Sequence, residues 1–194
     1  MHKKLYIFVG IILFHLVFLI AQDAKARFEM MNTIRRDKLD LVLPGAMRDN
    51  NVDVWIHVIR RGDTDPMNLD FGVTMGHVVF TDNGGDRIER ALFGHRFAAL
   101  ADETIYDIFG DEEDLTKYIK KRNPKTIAVN MSNWITVGDG LSYTGYNNLV
   151  NLLGKKYAKR LISSENVITD FSARRVQSEI IAFANICEIQ RRVM

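Results

Sequence analysis

Cysteine is almost missing from this chain: Cys187 stands alone among 194 residues. A single thiol excludes a disulfide framework within the chain and a four-cysteine zinc site. Proline is nearly as scarce, with only Pro44, Pro66 and Pro124, which excludes collagen-like and proline-rich architectures. An excess of one charge is lacking too. Lys plus Arg number 26 against 24 Asp plus Glu, for a formal charge of +2. No nucleic-acid partner is expected, because no bulk basic charge is there to hold one. What remains is ordinary globular material, 47% hydrophobic and 26% charged, and 194 residues allow one domain, or one domain plus an appendage.

There is one long hydrophobic run. Lys3 and Lys4 precede Leu5–Ile20, 16 residues interrupted only by Gly10 and His15, and the small residues Ala21, Ala24 and Ala26 follow. This order predicts a signal peptide over residues 1–26, cleaved after Ala21 or Ala26, and hence export to a periplasmic or secreted location. The run falls short of the roughly 20 apolar residues of a membrane span. The alternative is an uncleaved anchor, and this segment is the only contact with a membrane that the sequence suggests. Cleavage after Ala21 removes Lys3 and Lys4 and leaves the mature chain at net zero charge.

Beyond it, periodicity predicts an α/β domain with a mixed sheet. A helical pattern spans 27–51, with Pro44 expected to break it into two helices or to start a final turn. Strands are expected at 52–59, 76–81, 87–93 and 126–131, the last central because it is continuously apolar. Asp82-Asn83-Gly84-Gly85 reads as a hairpin turn. Helices are expected at 111–122, 146–161 and 172–194, with an extended strand or linker at 166–170. The first strand alternates Val54, Ile56 and Val58 with Asp53, Trp55 and His57, which places His57 on a polar face.

Chemistry is sparse. His57, His77 and His95 share no metal-ligand spacing, and Asp53, Asp82 and Asp107 show no convergence of the kind a two-metal site needs. Gly138-Asp139-Gly140 lacks the remaining glycines and lysine of a phosphate loop and reads as a turn. Asn130-Met131-Ser132 fits a glycosylation sequon but lies at a strand end. Ser132, Ser142 and Cys187 have no neighbouring base in sequence. The most suggestive segment is the loop after the first strand, with Arg60, Arg61, Asp63 and Asp65. Loops at strand ends are where α/β sheets place ligands. The two arginines can clamp a carboxylate or phosphate, although such a charge run also suits a solvated loop of internal ion pairs.

Several segments taken in order resemble one known family. They are Met47-Arg48-Asp49-Asn50 through Val54-Trp55-Ile56, Lys121-Arg122-Asn123-Pro124 through Ser132, Asp139-Gly140-Leu141-Ser142, Leu153-Gly154-Lys155-Lys156-Tyr157, Arg160-Leu161-Ile162-Ser163 and Arg174-Arg175-Val176-Gln177-Ser178-Glu179-Ile180. Together these are similar to the N-terminal domain of the creatinase, prolidase and Xaa-Pro aminopeptidase metallopeptidases. The last segment departs from the family's R-x-x-K-S-x-x-E-I pattern, with Gln177 in the lysine place and Glu179 directly after Ser178.

The resemblance implies a ribonuclease-H-like α/β fold with a mixed sheet flanked by helices. It divides the chain into the signal at 1–26, the family's N-terminal domain at 27–172, and at 173–194 a linker helix opening a catalytic domain that is cut short. The family's two divalent metals (Mn, Co or Zn) are held by two Asp, one His and two Glu of that catalytic domain. None of those five ligands can be assigned here, so no cofactor and no peptide hydrolysis is expected of this chain alone. The implied partners are the catalytic domain of the same protein and a second copy in a homo-oligomer. Arg60, Arg61, Asp63 and Asp65 are the residues expected to wall an active site. The competing expectations are a free-standing interaction module of the same fold and a hydrolase in its own right.

Overall fold

Val54–Ile59 (β1) is apolar on both parities, and all six of its residues are buried. A strand without a wet face needs a layer of structure on each side. The computed structural model, which describes residues 22–62, 65–94 and 102–194, provides both layers. Residues 1–21 of the expected signal peptide, Asp63 and His95 lie outside the described residues.

The sheet has six strands in the order β4-β3-β2-β1-β5-β6. Gly76–Thr81 (β2) runs antiparallel to β1, with Val58 opposite His77, and Glu89–Phe93 (β3) runs antiparallel to β2. Ile108–Gly110 (β4) is parallel to β3, Ile127–Val129 (β5) is parallel to β1, and Leu161–Ser163 (β6) is parallel to β5. The chain therefore lays strands to one side of β1 and then crosses to the other. The expected α/β mixed sheet is what forms.

On one face lie a helix over 22–37 (α1), its continuation through a π-helical turn at Lys38–Val42, and Leu43–Asp49 (α2), together with Met67–Phe71 (α3) and Glu165–Ala173 (α6). Leu39, Leu43, Met47, Phe71 and Phe171 from these elements close over Trp55 and Phe80 of the sheet. Trp55 contacts Phe71, Phe80 and Phe171 with ring centroids 5.3–6.0 Å apart. On the other face, Asp114–Arg122 (α4) and Tyr143–Ala158 (α5) bring Leu115, Ile119, Leu149 and Leu153 onto Val54, Ile56 and Val79.

Local chemistry explains the element ends. Asn123 closes α4 in the left-handed conformation, φ 46°, and its N–H returns to the Ile119 carbonyl, a cap that asparagine tolerates. Asp114 at the start and Lys120, Lys121 and Arg122 at the end of α4 follow the helix dipole. Pro44 starts the final helix of the first helical stretch, one of its two expected outcomes. It occupies the first turn of α2, directly after the π turn, where its missing N–H costs no helical bond.

Three expectations change. Residues 166–170 are helical rather than extended, because Val167, Ile168 and Phe171 recur at helical spacing and bury together against the sheet. β4 and β6 were not expected; each is only three residues long, too short for a period to register. His57 is not on a polar face: it is fully buried, with its ring 5.3 Å from that of Phe71.

The last helix, Gln177–Val193 (α7), differs from the rest. Only Ala182 on it is buried, while Ile180, Phe183, Ile186 and Ile189 are more than half exposed. Among the described residues, no helix is long and apolar enough to cross a membrane.

Candidate functional site

β1 is where the direction of strand addition reverses, and ligands of α/β sheets gather outside the carboxyl ends of strands at such a point. At that edge Asp65 folds back under its own strand. Its Oδ2 lies 2.8 Å from His57 Nε2, and its Oδ1 accepts the Met67 N–H at 2.9 Å. Burial pushes the Asp65 carboxyl upward, but the hydrogen bond and charge of His57 and the Met67 N–H outweigh it and hold the carboxyl below its ordinary value. Asp65 is thus a sealed anchor of the loop, not a solvent-facing wall residue.

Asn130, the residue after β5, packs beside this anchor. It is fully buried. Its Oδ1 accepts the Val58 N–H at 3.1 Å, and its Nδ2 donates to the Val58 carbonyl at 3.0 Å. An amide spent in this way is not a glycan acceptor. Gly140 shows why its loop needs glycine: a Cβ there would stand 3.0 Å from Asp65 Oδ2 and 3.1 Å from Asn130 Nδ2. The Gly138–Gly140 segment is a turn packed on buried polar groups.

Outside this anchor lies a cleft of about 450 Å³ lined by Val58, Arg60, His77, Glu112 and the first turn of α5, Ser142 to Gly145, with Asn148. Of the four loop residues expected to form a site, the structure brings Arg60 into the cleft. It leaves Arg61 exposed, turns Asp65 inward, and does not describe Asp63. His77 is 8% exposed and its Nδ1 has no hydrogen-bond partner. Burial pushes its imidazolium below the ordinary value, with the Glu112 charge and the Phe93 backbone pulling the other way.

A neighbouring cleft of about 440 Å³ includes Ser132, Asp139 and Ser163. Ser132 is spent there: its Oγ donates to Glu165 Oε2 at 2.8 Å and accepts the Ile135 N–H at 3.0 Å. Ser142 caps α5, its Oγ accepting the Gly145 N–H at 3.1 Å. The Glu165 carboxylate that Ser132 faces also accepts the Asn133 N–H at 3.1 Å and so ties down that loop. Asp53 receives the Lys125 and Thr126 N–H groups, Asp82 pairs with Arg48, and Asp107 pairs with Arg87. These three acids serve separate structural roles. Among the described residues, no three His, Cys, Asp or Glu side chains converge as a metal site.

Sequence reasoning missed His77, Glu112 and Asn148, which come from three distant elements. The one available signal was His77 at the start of a strand antiparallel to β1, which topology places beside Arg60. No family model, curated protein or solved structure matches this chain.

Proposed function

We propose that this chain is the non-catalytic N-terminal domain of an exported metallopeptidase of the creatinase, prolidase and Xaa-Pro aminopeptidase type. It supports assembly with the catalytic domain and with a second copy, and walls an active site with the loop bearing Arg60. The observation that carries this reading is α7. Its Ile180, Phe183, Ile186 and Ile189 are 51–68% exposed. An apolar stripe of that length on a helix is the signature of a surface that another domain or chain covers. The resemblance gives the occupant, since this is the helix that leads into the catalytic domain in that family. The six-stranded mixed sheet with helices on both faces supports the ribonuclease-H-like description of the fold.

The described residues do not fit the family's metals, because no carboxylate and histidine cluster is there to hold them. No hydrolytic step is assigned to this chain. The exposed face of α7 also weighs against a free-standing module, which would need its last helix docked.

The test is the coding sequence beyond Met194 in the source genome. The reading expects a frame that supplies two Asp, one His and two Glu at the family's spacing, and an intergenic region without one overturns it. The full chain supplied with Mn, Co or Zn and an Xaa-Pro dipeptide is expected to show no turnover. Chelator-sensitive turnover would place the chemistry in this chain and overturn the non-catalytic assignment.

A further inference from the structure

We infer that the end of the domain formed by the carboxyl ends of α4 and α5 docks on an anionic lipid surface, with its lysines against the headgroup phosphates.

The argument begins with how charge is distributed. Residues 117–125 carry Lys117, Lys120, Lys121, Arg122 and Lys125. Residues 155–160 carry Lys155, Lys156, Lys159 and Arg160. Neither segment has an acid. Together they hold nine of the 26 basic residues in a chain with 24 acids. The remainder of the chain is therefore acidic, and its counterweight is gathered here.

The fold joins the two segments. Thr116 Oγ1 donates to the Leu152 carbonyl at 2.7 Å, so α4 and α5 lie side by side. At their carboxyl ends Arg160 Nη1 donates to Asn123 Oδ1 at 3.2 Å and to the Pro124 carbonyl. The Ile127 N–H donates to the Arg160 carbonyl at 2.9 Å. Both basic segments thus end together, at the amino ends of β5 and β6. The acids Asp111 to Asp114 stand at the other end of α4. Asp114 is about 10 Å along the helix axis from Lys121, beyond the screening length of about 8 Å at physiological salt.

The arginines are engaged and most of the lysines are not. Arg122 pairs with Glu89, and Arg160 holds the Asn123-Pro124 turn. Lys117 pairs with Asp114, and the Asp53 carboxylate accepts the Lys125 backbone N–H. Lys120, Lys121, Lys125, Lys155 and Lys159 are exposed, and their ammonium groups have no partner among the described residues. Lys156 is exposed too and lies over the Tyr157 ring. One or two cations in each last turn would complement the helix dipoles. The further lysines repel one another and gain nothing inside the domain, so their counter-charge lies outside it.

The side chains present select the partner. Ammonium groups suit phosphates as point charges, while the guanidinium forks that read base edges are engaged internally. Tyr118 and Tyr157 are buried, and no other aromatic lies in either segment. Unpaired bases therefore have no platform to stack on. What fits is a broad array of phosphates met without regard to sequence. The apolar run Leu5–Ile20 selects the lipid, because an export signal and an anchor each bring a chain to a membrane. The choice of lipid rests on that reading of the run. The patch itself does not, and neither rests on the metallopeptidase reading.

The experiment is acetylation of the full chain with an N-hydroxysuccinimide ester, read lysine by lysine by mass spectrometry. It is run on vesicles of phosphatidylcholine alone and on vesicles with about 30% phosphatidylglycerol, an anionic surface of the kind that attracts basic segments. A local readout serves whether or not the apolar run attaches the chain to both. Lys120, Lys121, Lys125, Lys155, Lys156 and Lys159 are expected to react about threefold more slowly, or less, on the anionic vesicles only. About 0.5 M NaCl should reverse this by shortening the screening length. Lys121→Gln combined with Lys155→Gln is expected to melt no lower than the parent, because it relieves like-charge repulsion. The lipid concentration for half-protection of the other four lysines should rise about twentyfold. Protection of Lys25 without these lysines would mean that the run alone meets the membrane, and overturns the site. Equal protection on both kinds of vesicle, or a lipid dependence unchanged in the variant, overturns it as well. Short duplex DNA at the same phosphate concentration is expected to protect less, since a rod meets fewer of the lysines at once than a plane. Equal or stronger protection by DNA overturns the choice of a lipid.

Discussion

His57 Nε2 stands 2.8 Å from Asp65 Oδ2, with the two side chains 0% and 5% exposed. A strand histidine and a loop acid eight residues later thereby close the loop that carries Arg60. Because the Asp65 carboxyl is held below its ordinary value in the folded chain, it stabilises the fold fully above the unfolded carboxylate range, near pH 4. That contribution is lost as the pH falls through the depressed folded value. Asp65→Asn is expected to cost about 1–3 kcal/mol at neutral pH. Urea unfolding followed from pH 7 into the acid range should show the parent losing its advantage over the variant below about pH 4. A gap that stays constant with pH would mean that the carboxylate charge is not what holds the loop.

Gly140 and Gly85 form a matched pair for testing how tightly this anchor is packed. A Cβ at Gly140 meets Asp65 Oδ2 and Asn130 Nδ2 at 3.0 and 3.1 Å, whereas one at Gly85 meets nothing within 4 Å. Both side chains at Gly140 are buried and bonded, so neither can move aside freely. Gly140→Ala is expected to destabilise by about 1–3 kcal/mol. Gly85→Ala should be neutral or gain a few tenths, about 0.4 kcal/mol, by stiffening the unfolded chain. Thermal unfolding of both variants decides it, and equal effects would show that the close approach at Gly140 is relieved elsewhere.

Arg90 is 1% exposed and pairs through Nη2 with Asp40, whose side chain is 48% exposed. Burial pulls the Arg90 guanidinium below its ordinary value, with Asp40 as the main opposing charge. Among the described residues, removing the acid leaves a buried cation with a 3.4 Å bond to the Ile105 carbonyl and the nearby Asp107. Removing the arginine leaves an acid that water reaches. Asp40→Asn should therefore cost about 2 kcal/mol, less than the loss of a fully buried pair, and Arg90→Met about 1 kcal/mol or less. Urea midpoints in the opposite order would show that the arginine stem, not its charge, carries the contribution.

The legible parts of this fold were those with long periods or strong punctuation. Asn123-Pro124 marked the end of α4, and Asp82 to Gly85 marked the β2–β3 connection, although the observed loop runs over 82–88 because β3 begins only at Glu89. The Arg60 loop was legible as a place for ligands from its position after β1. Its geometry was not. Asp65 looked like one more acid in a charged loop, and nothing local shows that it turns inward to His57. The reason is that His57 and Gly140 meet it from two segments that only the folded sheet brings together. His77 was hidden likewise, since its unpartnered nitrogen is a property of the packed fold and not of the residues beside it in sequence.

The face of α7 offers the sharpest test of the proposed assembly. Phe183 and Ile186 are 68% and 57% exposed and contribute nothing to the domain's own core. Replacing both with serine should leave the unfolding midpoint within about 0.5 kcal/mol of the parent, as for surface positions. If the stripe is a covered surface, it will pair with itself when no other partner is present. Sedimentation equilibrium of the parent should then give an average mass above the 22.3 kDa of one chain, and the double variant should fall towards that value. Leu41, 73% exposed on the π turn, is the control, because an isolated apolar side chain drives no association. Leu41→Ser should leave the mass of the parent unchanged. If it lowers the mass as much as the α7 variant does, association is not specific to α7, and the helix loses its standing as the assembly surface.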